Sequence, residues 1–130
     1  MPPPPVGRLI GFRLLSAGDG AAMFEMDADE RHWNPMGTLH GGVLCDIADA
    51  AMGVAYATML GEGESFTTVE LKINYLRPVW KAHLRACAHI VKKGRKVGLV
   101  ECDVTDEKGN LVARAASTCM TLTGDDARAR

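Results

Sequence analysis

Val43-Leu44-Cys45-Asp46-Ile47-Ala48-Asp49-Ala50-Ala51-Met52-Gly53-Val54-Ala55-Tyr56 is the stretch that decides the fold. Alanine, leucine and methionine are good helix formers and no proline interrupts them, so the composition predicts one long helix from Val43 to near Gly61. The helix is apolar around most of its circumference, so other elements must wrap it rather than carry it on a surface. Asp46 and Asp49, with the many small residues, argue against a membrane span. Outward from the helix the chain reads as strands. Val6–Leu15 and Ala21–Asp27 flank the turn signal Gly18-Asp19-Gly20. Downstream, Val69, Leu71, Ile73 and Tyr75 alternate with Thr68, Glu70, Lys72 and Asn74 until Pro78 stops the strand. Leu84, Ala86, Ala88 and Ile90 repeat the pattern, Val97–Thr105 runs back after Gly94, and Leu111–Leu122 follows the turn at Asp106–Asn110. One helix enclosed by a curved antiparallel β-sheet is the economical solution, an α+β fold.

At 130 residues the chain is expected to form a single domain, 1–130, with room for one core and no separate cofactor domain. Hydrophobic residues at 47% exclude wholesale disorder, and aromatics at 5% predict an aliphatic core. A net charge of −1 gives no global pull toward nucleic acid. Cys45, Cys87, Cys102 and Cys119 form no CxxC pair and stand at no metal-ligand spacing, so free thiols and no metal site are expected. The proline run 1–5 replaces the charged and apolar regions of a signal peptide. It reads as a stiff, disordered leader, and 124–130 as a disordered polar tail. A cytoplasmic location, with no membrane partner, is the expectation.

Asn34-Pro35-Met36-Gly37 is a turn leading into His40-Gly41-Gly42 at the helix start. Unpaired N–H groups at a helix N-terminus stabilise negative charge, which makes this segment a candidate oxyanion site. Gly41-Gly42 as mere relief of crowding, and His40 as a satisfied core histidine, explain the same residues. Asp46 lies near the first turn, where the helix dipole favours a carboxylate. Asp49, about two turns in, has no such account. A carboxylate there must be paired, open to a cavity, or functional. Met36, Met52 and Met59 suit either a tolerant acyl pocket or core gap-filling.

From Leu71 to Val100 there is no acidic residue, yet Lys72, Arg77, Lys81, Arg85, Lys92, Lys93, Arg95 and Lys96 fall within it. The rest of the chain therefore has 15 − 8 = 7 basic against 16 acidic groups. A solvated basic strand edge accounts for this, and so does a docking surface for a polyanionic ligand carrying several phosphates. Tyr75 and Trp80 are too few stacking aromatics to favour nucleic acid.

Asn34-x-x-Gly37-x-x-His40-Gly41-Gly42 followed by Asp49 resembles the hotdog-fold acyl-CoA thioesterases of the phenylacetyl-CoA (PaaI-like) type. Thr68 to Pro78 is similar to that family's strand after the helix, and Gly94-Arg95-Lys96-Val97 with Glu101-x-Asp103 to its next hairpin. The resemblance covers about residues 34–122. It implies an acyl- or aryl-CoA substrate, with coenzyme A part of the substrate and no cofactor. It also implies that the Gly41 N–H and the Asn34 side chain bind the thioester carbonyl while His40 orients that end of the site. Asp49 would act as nucleophile or general base, and Thr68 would place the attacking water. Some relatives carry Glu at the position of Asp49 and Ser at that of Thr68. Gly42, Arg77, Lys92, Lys93, Arg95 and Lys96 are the candidates for holding the rest of the CoA ester.

Eight residues separate Gly41 from Asp49, about 12 Å along one helix. A thioester carbon cannot lie within about 3 Å of both in one chain. Either the two do not act together, or two chains build each site. The resemblance implies the second, with a homodimer, or a homotetramer of two such dimers. A hotdog dehydratase and a non-catalytic acyl-CoA-binding oligomer are the competing functions.

Overall fold

The computed structural model describes residues 3–130. It contains helix α1 (Pro5–Ile10), strands β1 (Phe12–Gly18) and β2 (Ala21–Ala28), and a short 3-10 turn at Glu30–His32. Helix α2 (Gly41–Ala57) follows, then β3 (Ser65–Tyr75), β4 (Ala82–Lys93), β5 (Val97–Thr105), β6 (Leu111–Leu122) and helix α3 (Gly124–Arg128). The six strands form one antiparallel sheet in the order β1-β2-β4-β5-β6-β3, and it curls around α2. Leu44, Ile47, Ala48, Ala51, Met52, Ala55 and Tyr56 of α2 are buried against it. Small residues on both partners let helix and sheet approach closely, since Ala22, Ala86, Ala88, Ala113 and Ala115 line the sheet's inner face. Phe12, Phe24 and Tyr56 join this core, so it is less purely aliphatic than the composition predicts.

Two expectations at the ends are corrected. Val6–Ile10 is helix, not strand. Pro5 at the first helical positions supplies a preset φ, and Gly11, at φ 101°, terminates the helix in the left-handed conformation. Residues 1–2 of the expected leader lie outside the described residues, while Pro4 precedes the first turn of α1. The polar tail also contains structure, the short helix α3 with Asp125 and Asp126 in its first turn. No helix among the described residues is long and apolar enough to cross a membrane.

The sheet does not close around α2. Its two edges, β1-β2 and β3, leave one stripe of the helix open, and Asp46 and Asp49 stand on that stripe. The β3 edge carries a departure from simple alternation. Thr68 pairs with Cys119 and Glu70 with Thr118, so a bulge falls at Val69. Thr68, Leu71, Ile73 and Tyr75 therefore all share the helix-facing side with buried Cys119, Ser117, Ala115 and Ala113. Val69, which strict alternation places inward with Leu71, is 54% exposed instead.

Candidate active site

The segment before α2 is tied together by its own side chains. Asn34 Oδ1 accepts from the N–H groups of Met36 (2.9 Å) and Thr38 (3.2 Å), and Nδ2 donates to Thr38 Oγ1 at 2.9 Å. Gly37, at φ 85°, donates to the Asn34 carbonyl at 3.0 Å and closes the turn. His40 is not a core histidine. It is exposed and caps the helix, its Nδ1 accepting from the Gly42 N–H at 2.8 Å. A neutral ring then carries its proton on Nε2. Among the described residues nothing accepts from the Gly41 N–H, so the positive end of α2 has a donor to offer.

Both accounts of the two glycines hold at once. A Cβ at Gly41 would lie 2.6 Å from the Tyr75 ring, and one at Gly42 would lie 2.9 Å from His40 Nδ1. Crowding therefore demands glycine where the free N–H is offered. Tyr75 is a residue that sequence reasoning placed as a strand position and a lone stacking aromatic, not as part of the site. Its hydroxyl and Cys45 Sγ are hydrogen-bonded at 3.3 Å, and that bond with burial pushes the phenol up to about 12, so it stays protonated. Asn34, Gly41, Tyr75 and Arg77 line one cleft of about 410 Å³.

Asp49 and Thr68 line other cavities. One, of about 400 Å³, runs beside β3 and includes Cys45, Asp46 and Glu70; the other, of about 380 Å³, is an apolar groove across the open stripe of α2. Neither shares a lining residue with the Asn34–Gly41 cleft. Burial raises the Asp49 carboxyl above the usual carboxylate range, and the neighbouring Asp46 charge raises it further. Asp46 is the sixth residue of α2, beyond the first turn, so the dipole account fails for it; burial raises its carboxyl too, partly offset by His40. Thr68 Oγ1 lies 3.7 Å from Cys119 Sγ, whose thiol is pushed up chiefly by burial. All four cysteines are free. Met52 is wholly buried in the core, while Met36 and Met59 are exposed and line none of these cavities.

The basic residues of the acid-free stretch do not form one patch. Lys81 pairs with Glu30 at 3.3 Å, and Arg85 sits opposite Glu25 in the sheet. Lys92, Lys93, Arg95 and Lys96 belong to the β4–β5 hairpin at the far end of α2, where Lys93 lies 5.7 Å over the Tyr56 ring. Tyr56 is fifteen residues from Gly41, about 22 Å along the helix. Of the basic residues in the stretch Arg77 alone lines the Gly41 cleft, and Gly42 lines none of the three cavities. Among the described residues no group of three or more His, Cys, Asp or Glu could hold a metal ion.

The sequence matches the family model of the thioesterase superfamily over residues 36–113. It is 30% identical over 114 residues to acyl-coenzyme A thioesterase 13 of Homo sapiens, covering 85% of this chain and 81% of that one. Among solved structures, a conserved protein of Pseudomonas aeruginosa superposes with a TM-score of 0.86 at 32% identity, covering 92% of this chain and 94% of the other. A variant of the phenylacetic acid degradation protein PaaI of Thermus thermophilus gives 0.84 at 27% identity, covering 90% and 98%. With a six-stranded antiparallel sheet wrapped on one long helix, this chain belongs to the thioesterase superfamily, as a thioester hydrolase of the hotdog fold.

Proposed function

We propose that the protein hydrolyses acyl-CoA thioesters, acyl-CoA and water giving a carboxylic acid and free CoA, in a site that two subunits build together. The observation that carries this reading is the separation of the two halves of the chemistry. The Asn34–Gly41 donors and the Asp49 carboxylate line clefts with no residue in common, about 12 Å apart along one helix. A two-fold axis level with Cys45, midway between Gly41 and Asp49, brings the Gly41 of one protomer to the partner's Asp49. The β3 edge supports such pairing, because β3 is paired on one side only, with β6, and its open side with exposed Val69 and Tyr75 needs a cover. The same axis carries the partner's β4–β5 hairpin toward the Asn34 and Arg77 end, so cations far apart in one chain converge on one ligand. The assembly is a homodimer, or a dimer of dimers.

In this site the thioester carbonyl oxygen takes the Gly41 N–H and the remaining N–H of the Asn34 amide. Donors aimed at developing negative charge are worth about 3–4 kcal/mol each in such sites. His40 holds the Gly42 N–H and so sets the direction of the first helical turn. Asp49 either removes a proton from water that Thr68 places, or attacks the carbonyl carbon to form a mixed anhydride that water then opens. In both routes CoA leaves as the thiol. Lys92, Lys93, Arg95, Lys96 and Arg77 hold the nucleotide phosphates. The scheme calls on no metal or redox group, and it suits a cytoplasmic supply of CoA esters. Thiol release measured over a panel of aryl, short and long acyl-CoAs tests it. Release from at least one class supports hydrolysis; tight binding without release on any of them identifies a non-catalytic acyl-CoA-binding oligomer.

A further inference from the structure

We propose that Ser117 and Cys119, buried on β6 behind Thr68, are positioning residues: they form a hydroxyl–thiol–hydroxyl relay that turns the Thr68 O–H toward the Asp49 site as a hydrogen-bond donor. This rests on the acyl-CoA reading above and on the part Thr68 plays in it. The bulge at Val69 sets Thr68 directly opposite Cys119 on the helix-facing side of the sheet. Cys119 Sγ then stands between two hydroxyls, 3.7 Å from Thr68 Oγ1 and 3.9 Å from Ser117 Oγ. Ser117 and Cys119 are wholly buried, and neither lines the cavities beside Asp49. Thr68 is half-buried and lines both of them. The chain of polar side chains therefore leads from the core to the site, and Thr68 is its end at the cavity wall.

The protons of the relay have one satisfied direction. Among the described residues the Ser117 hydroxyl has a single partner, Cys119 Sγ. A buried O–H left without an acceptor is costly, so Ser117 donates to the sulfur. Burial keeps the Cys119 thiol protonated, and its one S–H is then free for Thr68 Oγ1. Thr68 accepts from the thiol, so its own proton is left for the cavity that holds Asp49. Run the other way, Thr68 would spend its proton on sulfur and Ser117 would keep one with no acceptor in the core. Each bond of such a chain polarises the next. The Asp49 charge also disfavours a thiolate at Cys119, so the carboxylate and a thiol with its proton forward support one another. In the site the Thr68 proton meets a lone pair of the attacking water, and the water's own proton is left to Asp49.

The test is a set of mutant cycles, read as kcat and KM on the acyl-CoA that the wild type hydrolyses fastest. Cys119→Ala is placed in three backgrounds: wild-type Thr68, Thr68→Ser and Thr68→Ala. With Thr68 it should lower kcat about fivefold, the size of one hydrogen bond, and change KM less than about twofold. With Thr68→Ser, which keeps the hydroxyl but lacks the methyl that stiffens χ1, the loss should be as large or larger. With Thr68→Ala no hydroxyl is left to aim, and Cys119→Ala should change kcat less than about twofold. Ser117→Ala should follow the same order with a smaller loss, and it decides the matter on the same terms if Cys119→Ala does not fold. A loss of equal size in all three backgrounds would overturn the relay, because filling the core is the same task whatever stands at position 68. Wild-type kcat in a folded Cys119→Ala protein would overturn it too. Undiminished kcat in Thr68→Ala would remove the relay while leaving hydrolysis of CoA esters standing. A wild type that hydrolyses none of them would remove the underlying reading and this one with it.

Discussion

At the start of α2 the Asn34 and His40 side chains are held by neighbours in sequence, Asn34 by Met36 and Thr38 and His40 by the Gly42 N–H, and the Gly41 N–H is left free among the described residues. Eight residues along the same helix, Asp49 is shaped by burial and by the charge of Asp46, with no hydrogen bond contributing. The first region is preorganised by local bonds. The second holds a carboxylate where its charged form is disfavoured, and its surroundings come from distant strands. Donors that must be ready benefit from being tied. A carboxylate that must take a proton or attack benefits from being left unpartnered.

That contrast breaks first at Asp49. Asp49→Asn should lower kcat at least about 100-fold while the fold and the assembly persist. It should also raise the melting temperature at pH 7. The folded-state pKa is raised, so the ionised form is the disfavoured one above it, and the amide removes that cost. The gain should vanish below the ordinary carboxyl value of 3.8, where both states are protonated. Thermal unfolding at pH 7 and near that value reads both signs. A lower melting temperature at pH 7 would show Asp49 to be a structural anchor. Asn34→Ala should do the opposite at the other region, lowering stability by about 1 kcal/mol together with activity, because two accepted N–H groups lose their partner.

Smaller effects should follow at the periphery. Lys93→Glu or Arg95→Glu should raise KM for CoA esters severalfold with little change in kcat, and should leave a truncated thioester without the nucleotide nearly unaffected. Equal losses on both substrates would assign the hairpin to folding or assembly. Smallest is the effect of Asp46→Asn. Removing the like charge lowers the Asp49 pKa, so the acid limb of the kcat/KM profile should move to lower pH. An unmoved limb would mean that Asp49 is not the group titrating there.

Most of the fold was legible because strands buried on one face announce themselves by alternation: Val97–Thr105 and Leu111–Leu122 were readable to the residue, and the helix around Asp49 to within a few. Alternation misread Val6–Ile10, although Pro5 and Gly11 held the helix start and stop signals. The His40-Gly41-Gly42 turn was legible because its bonds are local. What a single sequence does not encode visibly is the bulge at Val69, which turns Thr68 to the face of Asp49, and the approach of Tyr75 to Gly41. Both depend on register between strands far apart in the chain. The dispersal of the basic residues to two ends of α2 is invisible for the same reason.

The central claim, that one chain's donors serve the next chain's carboxylate, is tested most directly by mixing two inactive proteins. One carries Asp49→Ala; the other carries Asn34→Ala with His40→Ala. In a randomised mixture half the dimers pair unlike chains, and each of those has one site with both halves intact and one with both defective. Thiol release should return to roughly a quarter of the wild-type value per site once subunits exchange, because a closed two-fold interface uses the same patches twice. No recovery, with exchange shown independently by native mass measurement, would contradict the account: Gly41 and Asp49 could then not act on the same carbonyl.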